Sequence, residues 1–122
     1  MLRKSILVIS DQHAPYHHID TLDFLSAIKE KYKPDCVVNI GDEMDWHSIS
    51  FHDSHPGLYS PSHELVVAKK FFKELEELFP RQYIMDSNHG SLVFRKATRH
   101  GLPHEIFKSY NHMLGVGKGW TC

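Results

Sequence analysis

Three short clusters of aspartate, histidine and asparagine side chains are spaced along the chain. They are Asp11-Gln12-His13, Gly41-Asp42-Glu43-Met44-Asp45 and Ser87-Asn88-His89-Gly90. Carboxylate and amide oxygens combined with imidazole nitrogens, with no thiolate among them, form a ligand set that suits Mn²⁺, Fe or Zn²⁺. The two oxygens of one carboxylate, such as that of Asp42, could also bridge two cations. Each cluster taken by itself is equally compatible with an ordinary turn, in which a polar side chain caps backbone amides.

Each cluster directly follows a run of apolar residues. The runs at 5–10, 36–40 and 82–85 predict three strands, and the continuous β-branched pattern of the first predicts that it is buried on both faces. In a parallel sheet, ligands bind outside the carboxyl ends of the strands. The sequence therefore predicts that all three clusters meet at one edge of a sheet.

Apolar residues at helical spacing separate the predicted strands. Ser60 and Pro61 form a capping residue and a first helical position, and Pro80 closes the same helix. The predicted helices run from Asp20 to before Pro34, from Pro61 to before Pro80, and at about 91–100 and 103–114. The tail at 115–122 has no regular pattern. The order βαβαβα predicts an α/β fold with a mainly parallel sheet.

In this order and at these strand ends, the clusters resemble the D-x-H, G-D-x-x-D and G-N-H-[D/E] motifs of the calcineurin-like metallophosphoesterase family. The resemblance extends to about residue 90. Ser87 replaces the family's glycine and Gly90 its acidic residue, and this version is similar to family members carried by bacteriophages. The resemblance implies a single domain over residues 1–122 that forms the first half of the family's αββα sandwich.

The resemblance also implies a role for each polar residue. The implied metal ligands are Asp11, His13, Asp42 and Asn88. Asp42 would bridge the two ions, His89 would protonate the leaving oxygen, and Asp45 would orient His89. The implied cofactors are divalent metal ions, Mn²⁺ first, with Fe, Zn²⁺ or Ni²⁺ as alternatives. The expected reaction is hydrolysis of a phosphomonoester or phosphodiester, and the substrate could be a nucleotide or nucleic acid.

The family's remaining ligands are a lone histidine on an apolar strand and a G-H-x-H motif, and neither pattern occurs between His89 and Cys122. We therefore expect a domain truncated at its C-terminal side, with an incomplete two-metal site and little or no activity by itself. Histidines in the loop after Asp45 or in the last helices could replace the missing ligands. The alternatives are a non-catalytic module that binds a metal or a partner, or a fragment that needs a second chain.

Charge is distributed unevenly along the chain. The formal net charge is −1, which excludes a global field that would attract nucleic acid or an anionic membrane. Residues 91–122, however, carry five basic groups and only one acidic group, Glu105. This basic segment could place phosphate-binding groups beside the metal site, or it could be a solvated helix face.

Nothing in the sequence predicts insertion into a membrane or an oxidising compartment. The apolar stretch near the N-terminus is too short for a signal sequence or a membrane span, and Cys36 and Cys122 form no disulfide framework. We therefore expect a cytoplasmic protein, which would mean the host cytoplasm if a phage encodes it. Because half of a sandwich would expose an apolar sheet face, self-association is also expected.

Overall fold

The computed structural model describes residues 4–122, and this part of the chain contains four strands and four α-helices. The strands are β1 (Ile6–Ile9), β2 (Cys36–Asn39), β3 (Gln82–Ile84) and β4 (Trp120–Thr121). The helices are α1 (Thr21–Tyr32), α2 (Pro61–Leu78), α3 (Leu92–Arg99) and α4 (Tyr110–Leu114). The predicted α/β class is confirmed, with the first three strands and the first three helices within a few residues of their predicted positions.

The sheet contains the strands in chain order, β1-β2-β3-β4, and every pair is parallel. When parallel strands follow chain order, crossovers of the usual right-handed sense leave the connecting helices on one face of the sheet. The contacts agree with this, because α1 packs against α2, and α2 packs against α4. The three crossovers also bring the loops after β1, β2 and β3 to the same edge.

The core lies between the sheet and this helical layer. Ile9, Val37 and Ile84 point from successive strands into it, and Phe72 and Leu75 of α2 are fully buried against them. Alternate residues of a strand point to opposite faces, so one side chain in two along each strand enters this core. Burial of such apolar side chains is the main stabilising contribution of the layer, roughly 1.5–3 kcal/mol for each large side chain.

The opposite face of the sheet is open, which corrects the prediction that β1 is buried on both faces. Ile6 is 62% exposed and Val8 55%, and Tyr83 on β3 is 55% exposed. The prediction was wrong because a continuous apolar run does not reveal how many layers cover a strand. Here the helices all lie on one side, and no described element of the chain covers the other.

Two expectations for the C-terminal region are also corrected. The helix expected at 103–114 is interrupted: a 3₁₀ turn at His104–Ile106 is followed by extended backbone at Phe107 before α4 begins. The tail expected to lack regular structure contributes β4, where Trp120 is buried and its indole N–H donates to the Phe79 carbonyl at 3.0 Å. That interaction holds a strand of only two residues in the sheet.

Within residues 4–122, no helix has the length and apolar character needed to cross a membrane.

Candidate metal centre

Backbone hydrogen bonds continue the β1–β2 pairing into the two loops that carry the first two clusters. The Asp11 N–H donates to the Gly41 carbonyl and the His13 N–H donates to the Asp42 carbonyl, both at 3.0 Å. Two further bonds extend this pairing as far as Asp45. The sheet register therefore positions the polar clusters relative to each other as firmly as it positions the strands.

Three of the predicted site residues have left-handed backbone conformations. The φ angles are 53° at Asp11, 49° at His13 and 53° at Asp42. Such angles are uncommon for residues other than glycine, although aspartate and histidine adopt them more readily than most. They cost free energy and concentrate at functional sites, where the surrounding structure holds them in place.

Asp11, His13 and Asp42 each contribute a ligand atom to one group, in which all these atoms lie within 4.8 Å of one another. Nε2 of His13 lies 3.6 Å from Oδ1 of Asp11. Two carboxylates and one imidazole match the oxygen-and-nitrogen ligand set of a divalent transition metal. The residues therefore fit a metal ion by their chemistry and their proximity.

Asp45 fixes the orientation of the His13 ring. Its carboxylate Oδ1 lies 2.9 Å from Nδ1 of His13 and is partly buried. A metal-binding histidine usually donates a hydrogen bond from its second ring N–H to a carboxylate or carbonyl in this way, which sets the tautomer. With Nδ1–H directed to Asp45, the lone pair of His13 is on Nε2, the nitrogen that faces Asp11.

Asp42 is held in its ionised form at the junction of the second and third clusters. Partial burial acts to raise the pKa of Asp42, but hydrogen bonds from the His89 N–H and the Ser87 hydroxyl, together with the nearby rings of His89 and His13, lower it overall. The His89 N–H donates to Oδ1 of Asp42 at 3.0 Å. Because metal ligands must be deprotonated, this carboxylate is ready to bind a cation.

Ser87 joins the second and third clusters. Its hydroxyl oxygen accepts from the Asp42 N–H at 2.9 Å and from the Gly90 N–H at 3.1 Å. Gly41 lies directly against it, with a φ of 111°, and a Cβ on Gly41 would overlap Cβ of Ser87. Position 41 needs glycine because of its backbone angle and because of this close approach to Ser87.

His89 lies against His13, with the ring centroids 4.7 Å apart in an edge-on arrangement. Its Nδ1 makes a hydrogen bond to the backbone carbonyl of Asp45. A carbonyl oxygen only accepts, so Nδ1 carries the proton and Nε2 remains for proton exchange. Asp45 thus contacts both histidines, through its carboxylate to His13 and its carbonyl to His89.

Asn88 makes its contacts with Arg95 on α3. The Arg95 guanidinium donates to Oδ1 of Asn88 at 3.0 Å and to the Asn88 backbone carbonyl at 2.6 Å. The amide oxygen that the resemblance assigns to a second metal ion is therefore engaged by a cation. Asn88 and Arg95 are seven residues apart, and Asn88 lies in the turn just before α3.

The remaining histidines stay outside these groups. Among residues 4–122, only two groups of three or more histidine, cysteine, aspartate or glutamate ligand atoms lie close enough to hold a metal. They are Asp11, His13 and Asp42, and His13, Asp45 and His89. In the loop after Asp45, Nε2 of His47 accepts from the His55 N–H at 3.0 Å. His47 and His55 therefore hold this loop together.

Glu64 of α2 is a structural residue of the site region that the sequence reasoning did not identify. Its buried carboxylate accepts from the His47 N–H at 3.0 Å and from the Ser48 N–H at 3.1 Å. A carboxylate at the start of a helical turn satisfies backbone N–H groups that have no partner within the turn. Glu64 therefore anchors the loop that follows Asp45.

Comparison with known proteins adds no family assignment to this geometry. No protein-family model, no curated protein and no solved structure matches the chain.

Proposed function

We propose that this protein binds a divalent metal ion through Asp11, His13 and Asp42 and uses it to hydrolyse a phosphoester. The observation that carries the proposal is the close group formed by these three residues, with His89 hydrogen-bonded beside it. The ionised carboxylate of Asp42, the fixed tautomer of His13 and the left-handed backbone at all three ligands support it. The location outside the carboxyl ends of β1, β2 and β3 also supports it, because parallel sheets bind ligands there.

The chain's own residues would divide the chemistry among them. Asp11, His13 and Asp42 bind the cation, and Asp45 keeps His13 in its binding tautomer. A bound divalent cation supplies charge stabilisation at a phosphoryl group and lowers the pKa of water. His89, whose Nδ1 is held by the Asp45 carbonyl, donates a proton from Nε2 to the departing oxygen. That donation requires the protonated ring, since the neutral tautomer has a lone pair on Nε2.

A second candidate function is metal binding without turnover, and one observation favours it. A two-metal site would draw its second set of ligands in this chain from Asp42 and Asn88, and Arg95 engages the Asn88 amide oxygen. Under this alternative a single ion would serve a structural or partner-binding role. We therefore expect slow turnover at most from residues 1–122.

Calorimetric titration with Mn²⁺ tests the metal site. We expect about one tight equivalent per chain, because the first ion has three ligands, whereas a second ion would have only Asn88 and the shared Asp42. Asp42→Asn should remove it, whereas Asp53→Asn, in the exposed loop, should not. Two tight equivalents would mean that further ligands are recruited.

Hydrolysis of bis(p-nitrophenyl) phosphate tests the reaction on the same samples. Slow release of nitrophenol that requires Mn²⁺ and disappears in Asp42→Asn supports a phosphoesterase. Full metal binding without any Mn²⁺-dependent release would favour the non-catalytic alternative.

A further inference from the structure

A cluster of cations surrounds one aromatic ring next to the candidate metal centre. Phe51 follows the 3₁₀ turn at His47–Ile49, and the residue is 41% exposed. The cations of α3 are Arg95, Lys96 and Arg99, at 5.8, 5.0 and 4.6 Å from the ring centroid. These distances are within the range of cation–π attraction, which fixes the loop against α3.

Two of the three cations remain available to a ligand. Lys96 donates to the Ile49 carbonyl at 2.8 Å and to the Ser50 carbonyl at 2.9 Å, so its role is to hold the loop. The exposed Arg99 guanidinium contacts the Phe51 ring and makes no hydrogen bond or ion pair with any residue from 4 to 122. Arg95 uses Nε and one terminal nitrogen on Ser91 and Asn88, and guanidinium has further donors.

The space around these residues is continuous with the candidate metal centre. A cavity of about 240 Å³ is lined by Asn88, His89, Phe51 and Arg95, among others. A shallower one of about 460 Å³ is lined by Phe51, Arg95 and Arg99. Because Phe51 and Arg95 line both, the two cavities adjoin, with His89 at one end and Arg99 at the other. We call this pair of adjoining cavities the α3 groove.

We propose that the α3 groove binds a single-stranded nucleic acid, with a backbone phosphate on Arg99 and an unpaired base on the exposed part of the Phe51 ring. Grooves for single strands combine cations that follow the backbone with aromatic rings on which bases stack. A simple phosphomonoester would occupy the metal centre and leave this groove empty. The substrate class is therefore an oligonucleotide whose scissile phosphate lies by His89 and whose neighbouring nucleotide lies in the groove.

The position of the scissile phosphate rests on the proposed function, but binding in the groove does not. The test is therefore made without metal, in EDTA, by fluorescence anisotropy of a labelled oligothymidylate of about twelve nucleotides. We expect the unmodified chain to bind, with an affinity that falls as salt rises. Arg99→Gln should weaken binding several-fold and reduce the slope of log affinity against log salt by about 0.7.

Matched variants distinguish binding in the groove from non-specific attraction of the oligonucleotide to positive charge. Arg81→Gln removes the same charge at the opposite edge of the sheet, beside Lys4 and Lys118, and should leave the affinity about unchanged. Phe51→Leu keeps an apolar contact for α3 but removes the stacking surface, and should weaken binding about tenfold. Circular dichroism establishes that each variant is folded before its affinity is compared.

The proposal is overturned if the unmodified chain does not bind the oligonucleotide at low salt, or if Arg81→Gln and Arg99→Gln lose the same affinity. Preferential binding of a phosphopeptide over the oligonucleotide would also overturn it. Hydrolysis of bis(p-nitrophenyl) phosphate with Mn²⁺ is measured separately. Binding in EDTA without any Mn²⁺-dependent hydrolysis would favour the non-catalytic alternative and leave nucleic-acid binding in the groove standing.

Discussion

The carboxylate of Asp45 lies 2.9 Å from Nδ1 of His13, across 32 residues of sequence. This pair connects the first cluster to the second by a side-chain contact, in addition to the backbone bonds between their loops. Its chemical consequence is that Nε2 of His13 carries the lone pair, beside the carboxylates of Asp11 and Asp42. The affinity of the proposed site for a metal ion should therefore depend on Asp45, which is not one of its three ligands.

Replacing Asp45 by alanine should weaken Mn²⁺ binding about 10–100-fold, the usual effect of losing a carboxylate behind a metal-binding histidine. The physical reason is that His13 becomes free to rotate and to change tautomer. Calorimetric titration measures the effect. Asp53→Ala, an exposed aspartate of the same loop, is the matched control and should bind as the unmodified chain does. Equal affinity for Asp45→Ala would show that Mn²⁺ binding does not depend on this contact.

Replacing His89 by alanine should separate catalysis from metal binding. The contact that Asp42 receives from His89 comes from the backbone N–H, which alanine retains. Mn²⁺ binding should therefore be kept, while any Mn²⁺-dependent hydrolysis of bis(p-nitrophenyl) phosphate should fall by about 10²-fold or more, the usual contribution of a general acid. Unchanged hydrolysis would exclude His89 as the acid. Loss of metal binding would instead place its imidazole among the ligands.

Glu43, next to Asp42, is a fully buried carboxyl whose Oε1 is hydrogen-bonded to the Tyr110 hydroxyl. No residue in the described part of the chain pairs with its Oε2. Burial raises the pKa of Glu43 to about 7 from an ordinary value of 4.5, and the negative charges of Asp42 and Asp86 act in the same direction. The folded protein therefore holds a proton here that the unfolded chain releases.

This raised pKa predicts how stability changes with pH. The protonated Glu43 carboxyl contributes to the free energy of unfolding in full below pH 4.5. This contribution is lost as pH rises through about 7, because the buried group must then ionise. Glu43→Gln stays neutral, so in EDTA it should be more stable than the unmodified chain at about pH 8, by about 3 kcal/mol. At about pH 5 the two should differ little. Thermal unfolding measures both, with the exposed Glu74→Gln as control.

The open face of the sheet predicts self-association through β1. Ile6, Val8 and Tyr83 present an apolar surface there, and parallel sheets are normally covered on both faces. We expect sedimentation at increasing concentrations to show dimers, and Val8→Asp to shift the chain towards monomer. Val66→Asp on α2 is the matched control, since Val66 is 57% exposed on the helical side. A monomer at every concentration would contradict the expectation.

The sequence by itself determined the alternation of strands and helices and the location of the three polar clusters. Apolar runs, the Ser60–Pro61 start of α2 and the proline that follows its end are local features, and local features form in the same way wherever the segment packs. The clusters meet because the strands before them are parallel and neighbouring. That much follows from the order of the elements.

Only the tertiary structure decided which face of the sheet the helices cover and which partners the polar side chains choose. The two-residue strand β4 exists because Trp120 is buried and bonded to Phe79, a relationship between segments 41 residues apart. The pairing of Asp45 with His13 depends likewise on how distant loops approach each other. Residue types and spacing specify which groups are available, whereas the direction of each side chain is set by packing across the whole chain.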